Sequence, residues 1–365
     1  MRSERLIVVG PLPPPYHGVT VSTSLVLEGA SLRERFVLDH VDTSDHRDGG
    51  NIGRWDVTNV LLGLINFASL VSRLRGRRGV LYLPLSQGAP AFLRDSLFIW
   101  AASVSGWKVA AHLRGSDFRT FYQASSPLLR RWIRVTLGRV NAVAVMGQSL
   151  RWVFEGLVSS EKIAVVANGT VEPPRLHLSR DPEHVLFLSN LRRRKGVVEA
   201  LEAACIVVRK HPRARFTFVG RWEDATLEAE LRRRAAAFDG RIVFLEPTKG
   251  RHKDELLASA AILLFPPREP EGHPRVVLEA LAAGVPVVTT DRGAIRETVV
   301  DGVCGFVLPY PAPEALAACL LSLLGDRELL ARHANAARAR YLTHFTQDIA
   351  DRRRAEWLAG VADAT

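Results

Sequence analysis

Between residues 261 and 290 the sequence allows only one kind of local structure. Ala261 to Phe265 is an apolar run of strand length that ends at Pro266 and Pro267. A charged loop, Arg268 to Gly272, follows. Pro274 stands at a first helical position and Gly284 just past a helix end. Between them Val277, Leu278 and Leu281 recur on one face. Val285 to Thr290 is continuously apolar, as a strand buried on both faces must be. The order is strand, loop, helix, strand.

The same alternation covers the rest of the chain. Ahead of it, strand patterns lie at Leu6 to Val9, Phe36 to Val41, Val80 to Leu83, Val109 to Leu113, Ala142 to Met146 and Ile163 to Val166. Helical patterns begin at Val19 and cover Val57 to Leu74, Ala91 to Val104 and Leu128 to Leu137. Val171 to Pro182, rich in Pro, Arg and Ser, reads as a linker. A second series has strands at Val185 to Leu188, Phe216 to Val219 and Ile242 to Leu245, with helices at Val197 to Arg209, Leu227 to Phe238 and Lys253 to Ala258. After Pro313 the pattern is helical to the end. Such alternation predicts α/β domains with parallel sheets covered on both faces. A length of 365 residues suits two of them, 1–172 and 183–340. Ligands of such sheets bind beyond the carboxyl ends of the strands.

Two carboxylates flank the start of the central helix. Glu271 lies in the loop, and Glu279 eight residues later inside the helix. The first helical N–H groups have no intrahelical partner and attract anions such as phosphate. Carboxylates accept well from sugar hydroxyls. The arrangement suits a diphosphate at the helix start, with hydroxyl-rich groups on either side.

The run Glu271-Gly-His-Pro-Arg-Val-Val-Leu-Glu279, continued by Ala-Leu-Ala-Ala-Gly284, resembles the E-x7-E signature of the GT4 family of retaining glycosyltransferases. Asp301-Gly-Val-Cys-Gly305 is similar to the turn that follows it there. The resemblance is specific over the second domain and loose over the first. It implies a GT-B fold, two Rossmann-like domains facing a central cleft. The first domain would bind the acceptor and the second the nucleotide-sugar donor. A last helix, about 341–360 with Tyr341 to Trp357 at its centre, would pack back on the first domain.

On that resemblance Glu271 lies by the donor sugar and Glu279 by the ribose. Gly272, His273, Pro274, Arg275 and Val276 line the helix start between them. Lys195, in Ser189-Asn-Leu-Arg-Arg-Arg-Lys-Gly196, matches the lysine that contacts the diphosphate. Asn190 stands where the family has an arginine, so the second cation is left open among Arg192, Arg193, Arg194 and Arg275. Gly18, in the proline-rich loop after the first strand, matches one of two family glycines; a plain connector is the equal alternative. Arg114 occupies the family's histidine position after the fourth strand. His112 lies two residues earlier on the same strand face. Either reaches the sugar, or His112 is a satisfied core histidine. Gln87, Arg94 and Asp117 are the acceptor-side candidates. No Asp-x-Asp occurs, so a metal-independent transfer with no cofactor is expected. A nucleotide-sugar epimerase of the same fold is the enzymatic alternative.

A formal charge of +11 favours acidic partners: nucleotide phosphates, nucleic acid or an anionic membrane surface. Scattered arginines and 7% aromatic residues argue against nucleic acid. Val57, Val60, Leu61, Leu64, Ile65 and Phe67 cluster on one helical surface ahead of Arg73, Arg75, Arg77 and Arg78, and Arg130, Arg131, Arg134 and Arg139 punctuate another apolar helix. Such helices either rest on anionic lipid or pack on the sheet. Cys205, Cys304 and Cys319 lack metal-ligand spacing and fit free thiols in a reducing compartment. The apolar run after Met1-Arg-Ser-Glu-Arg is too short for a signal peptide, and Leu97 to Trp107 too short to span a bilayer. Asn168-Gly-Thr170 reads as a turn. The expectation is a cytoplasmic enzyme of cell-envelope polysaccharide synthesis, acting on a glycan or lipid-linked acceptor at the inner face of the plasma membrane.

Overall fold

The short apolar runs form strands and the longer amphipathic ones helices, in a computed structural model that describes residues 4–14, 18–45, 57–174 and 179–364. Side chains at 57, 59 and 60 are outside that description, as are His17 and residues 175–178 of the linker. The chain divides into two compact units, Met1–Gly169 with Gln347–Thr365, and Thr170–Thr346.

In the first unit β1 (Glu4–Gly10), β2 (Phe36–Asp42), β3 (Gly79–Leu85), β4 (Lys108–Leu113), β5 (Ala142–Val145) and β6 (Ile163–Val165) form one sheet. Its order is β2-β1-β3-β4-β5-β6, and every pair is parallel. The helices are α1 (Gly18–Glu28), α2 (Ala30–Arg35), α3 (Val57–Leu74), α4 (Ala89–Val104), α5 (Phe118–Ala124) and α6 (Pro127–Leu137). The strand order reverses between β1 and β3, which leaves a crevice at their carboxyl ends.

The second unit holds β7 (His184–Leu188), β8 (Arg215–Val219), β9 (Ile242–Leu245), β10 (Ile262–Phe265), β11 (Val287–Thr290) and β12 (Gly305–Leu308). They run parallel in the order β12-β11-β10-β7-β8-β9, and the order reverses between β7 and β10. Its helices are α7 (Val197–Lys210), α8 (Ala225–Ala235), α9 (Gly250–Ser259), α10 (Arg275–Ala282), α11 (Ile295–Thr298), α12 (Pro313–Gly325) and α13 (Arg327–His344). Val277, Leu278 and Leu281 of α10 are buried with β10 and β11. Each such side chain contributes roughly 1.5–3 kcal/mol.

Three expectations shift. The strand expected from Val285 begins at Val287, because Pro286 has no N–H; its carbonyl still accepts from Leu263 N at 3.0 Å. Pro274 is the residue before α10 rather than its first, with the carbonyl accepting from Val277 N at 3.2 Å. The helix expected across Tyr341 to Trp357 is two, α13 and α14 (Gln347–Asp363). Thr170 causes the break. It pairs with Thr346, its N–H donates to Phe345 O at 3.0 Å, and its carbonyl accepts from Tyr341 Oη at 3.1 Å. Beyond the break, Ala355, Leu358 and Val361 of α14 join Leu6, Val8 and Tyr82 in the first unit's core.

Candidate active site

In the second unit the loops after β7 and β10 meet at the point where strand order reverses. Gly196 makes this possible. Its φ is +76°, and a Cβ there would lie 1.8 Å from Pro266 O. Arg268 N donates to Arg194 O at 3.0 Å, which fastens one loop to the other. Lys195, at the end of the first loop, places Nζ 2.5 Å from Glu271 Oε1 in the second. Gly293, in the loop after β11, has φ +64° and packs on the Glu271 backbone, where a Cβ would fall 1.7 Å from its carbonyl oxygen. Ala294 N donates to Gly272 O at 3.3 Å. Glu271 is therefore held by three loops.

A second lysine–carboxylate pair lies farther along the helix: Lys253 Nζ of α9 donates to Glu279 Oε1 at 2.8 Å. Both pairs are part-buried. Lys195 with Glu271 and Lys253 with Glu279 thus bracket the first turn of α10, the positive end of the helix dipole. Arg275 and Val276, half-buried, begin that turn. Asn190 is exposed. Of the cations near it, Arg193 pairs with Glu230 at 2.9 Å and Arg194 with Glu269 at 3.2 Å. Lys253 was invisible as a site residue in the sequence, since only the fold brings it to Glu279.

His273, expected at the ligand, is buried in the unit's own packing. Thr298 Oγ1 donates to Ala294 O at 2.9 Å, so it accepts from His273 Nε2–H at 2.8 Å. Burial, with Arg275 adding to it against Glu297, lowers the imidazole pKa to about 4.

His112 is buried as well. It has no exposed surface. Its Nε2 lies 3.1 Å from Val166 O, which can only accept, so Nε2 carries the proton. Nδ1 then accepts from Tyr82 Oη at 3.1 Å. Burial, Arg114 and Arg354 hold its pKa well below the usual histidine range. The Tyr82 oxygen in turn accepts from Arg114 Nη2 at 2.6 Å, and Arg114 Nη1 donates to Asn168 Oδ1 at 2.9 Å. The Trp357 ring from α14 stands edge-on to both Tyr82 and His112, with centroids 6.3 and 5.8 Å away. Arg114, not His112, is the group this chain of bonds presents.

Arg114, Gln87 and Arg94 line a cavity of about 850 Å³ beyond the carboxyl ends of β1 and β3. Arg94 is paired with buried Asp95 at 2.8 Å. Asp117 does not line it, but its N–H donates to Gln87 Oε1 at 2.6 Å and so positions that amide. Gly18 opens α1 and is exposed, with open space where a Cβ would stand. Among the described residues no group of three or more His, Cys, Asp or Glu side chains is placed to hold a metal ion.

Residues 171–340 match the family described as glycosyl transferases group 1. The chain is 33% identical over 221 residues to the amylovoran biosynthesis glycosyltransferase AmsK of Erwinia amylovora, covering 56% of this chain and 52% of that protein. It is 30% identical over 220 residues to the phosphatidyl-myo-inositol mannosyltransferase of Mycolicibacterium smegmatis, covering 58% and 55%. The matches thus span about half the length of these relatives. A glycosyltransferase structure from Rickettsia africae superposes with a TM-score of 0.74 at 16% identity, over 99% of this chain and 100% of that one. Anabaena HepE in complex with UDP-glucose gives 0.72 at 18% identity, over 97% and 99%. The fold is GT-B, and the second unit is similar to the glycosyl transferases group 1 over residues 171–340.

Proposed function

We propose that the protein is a retaining glycosyltransferase that moves a hexose from a nucleotide-sugar onto a glycan or glycolipid acceptor in cell-envelope polysaccharide synthesis. One observation carries this reading: the two lysine–carboxylate pairs bracketing the start of α10 at the strand reversal. Carboxylates for hydroxyls, and cations with a helix N-terminus for a diphosphate, are what a nucleotide-sugar requires. The relatives named for amylovoran and phosphatidylinositol chemistry agree with it.

In this reading the diphosphate lies on the first turn of α10 and on Lys195. Glu271 faces the donor sugar and Glu279 the ribose. The bond from the anomeric carbon to the diphosphate oxygen breaks as an acceptor oxygen bonds the same carbon. The acceptor proton leaves with the nucleoside diphosphate. Lys195 and the helix N–H groups stabilise the charge that grows on the leaving group. Their pre-set positions replace the metal that other glycosyltransferases use. Arg114, Gln87, Arg94 and Asp117 serve the acceptor side, and Gly18 the sugar or diphosphate.

The test is transfer from a panel of UDP-, GDP-, ADP- and TDP-sugars. Glu271→Ala should lower kcat at least a hundredfold with little change in melting temperature. Lys195→Ala should in addition weaken nucleoside diphosphate affinity by calorimetry. Transfer should persist in excess EDTA. Wild-type rates in Glu271→Ala would remove the assignment, and loss of activity on chelation, restored by magnesium, would remove the metal-free step.

A further inference from the structure

The cavity of the first unit is walled mainly by apolar side chains. Leu62, Leu64 and Phe67 of α3 face Leu93 and Leu97 of α4. Its volume, about 850 Å³, is that of a small-molecule site. A bare glycan fits such a wall poorly, since its hydroxyls would lose water without gaining partners. Leu64 and Leu97 line the cavity and yet are 59% and 50% exposed, so the apolar wall runs out to the surface.

The charged groups on the wall are arranged unequally. The Arg94 charge is matched by Asp95. Arg114 has neutral partners, Tyr82 and Asn168, and forms no ion pair with a carboxylate among the described residues. Its Nε is buried and has no hydrogen-bond partner among them. The remaining acid, Asp45, follows β2, whereas Arg114 follows β4, with β1 and β3 between. At about 4.8 Å per strand that is a separation of roughly 14 Å. One end of the cavity therefore carries an unneutralised guanidinium, and the side toward α3 and α4 is apolar and open.

We propose that this cavity binds an amphiphilic acceptor in which a phosphate adjoins an apolar chain, the phosphate on Arg114 and the chain along α3 and α4. A guanidinium takes phosphate through charge-assisted N–H bonds, and each terminal nitrogen of Arg114 has a second N–H beyond the one it gives to Asn168 or Tyr82. The His112–Tyr82 pair keeps the guanidinium in place because neutral His112 can only accept from the tyrosine. This deepens the glycosyltransferase reading by naming the acceptor class, and rests on that reading only for the word acceptor.

Calorimetry on the whole chain tests it with octyl phosphate, octanol and inorganic phosphate as probes. Octyl phosphate should bind at least tenfold more tightly than either of the others. Gly63 lies on the cavity wall, and a Cβ there meets nothing within 4 Å. Gly63→Phe should therefore fill the space without strain and cost octyl phosphate at least tenfold in affinity. Leu97→Asp, at the exposed mouth, should do the same if Gly63→Phe folds poorly. Arg114→Gln should reduce octyl phosphate to the affinity of octanol. Octyl phosphate binding no tighter than inorganic phosphate, or binding unaltered by both wall variants, overturns the proposal. None of these readings depends on sugar transfer. Amphiphile binding intact in a protein that transfers no sugar would reject the enzymatic reading and keep the site.

Discussion

Two histidines stand in stretches that the chemistry makes prominent, and both are buried. His273 lies within the E-x7-E run, yet its ring is locked to Thr298 and packed against Phe345. The folded state holds its pKa at about 4, against an ordinary 6.5. The unfolded chain therefore binds a proton that the folded chain refuses, throughout that window. Stability is full above pH 6.5, falls as pH drops toward 4, and levels off below it. The loss amounts to roughly 3 kcal/mol at the bottom of the window, from 1.36 kcal/mol per unit. His112 and His184, both lowered by burial, add in the same direction. Urea midpoints measured between pH 7 and 4 should fall steeply in the wild type. His273→Gln, which keeps a donor for Thr298 but cannot titrate, should lose a clear share of that slope. An unchanged slope would mean that His273 does not carry the coupling.

At the scale of elements, the site depends on loops that only glycine allows to touch. Gly293→Ala would drive a methyl group into the Glu271 carbonyl from a backbone at φ +64°, so the loop holding Glu271 must move. Transfer should fall at least tenfold, by more than the drop in melting temperature explains. Gly360→Ala, in α14, meets open space and should leave both nearly unchanged. If the two variants behaved alike, close approach at Gly293 would not be what positions Glu271. These elements were legible in unequal degree. Continuous apolar runs marked nearly every strand, and Glu271, Glu279 and Lys195 stood out because loop and helix start are local features. What stayed hidden is non-local. Nothing near Lys253 announces that it meets Glu279, 26 residues away. The break between α13 and α14 is imposed by Thr170, far back in the chain. β12 and the short helices α2, α5 and α11 follow turns whose course is set by packing. The burial of His112 and His273 depends on which neighbours close over them, and a strand or loop pattern does not specify that.

For the molecule as a whole, the open matter is what a chain of charge +11 works against. Among the described residues no helix is long and apolar enough to cross a membrane. The surface of the first unit still carries features that packing on its sheet leaves unexplained. Leu61, Leu64 and Ile65 of α3 recur at helical spacing and are each more than half exposed. On α6, Arg130, Arg131 and Arg134 are exposed, as are Leu128 and Val135. Apolar residues at the surface of one helix and cations on another suit shallow contact with anionic lipid. Each cation near such a surface contributes about 1 kcal/mol. That attraction is screened over about 8 Å at physiological ionic strength. We therefore expect flotation with vesicles containing anionic lipid at low salt, and none with purely zwitterionic vesicles. High salt should release the protein, and Arg130/Arg131/Arg134→Glu should abolish binding because three attractions become three repulsions. Leu64→Asp should weaken flotation even at low salt, since it removes apolar insertion. The same reversal at α6 leaves the cavity wall intact, so octyl phosphate affinity in the charge-reversed variant should stay within a few fold of wild type. Flotation that survives both the charge reversal and high salt would show that apolar contact alone holds the protein, and absence of flotation at low salt would remove the membrane surface as a partner.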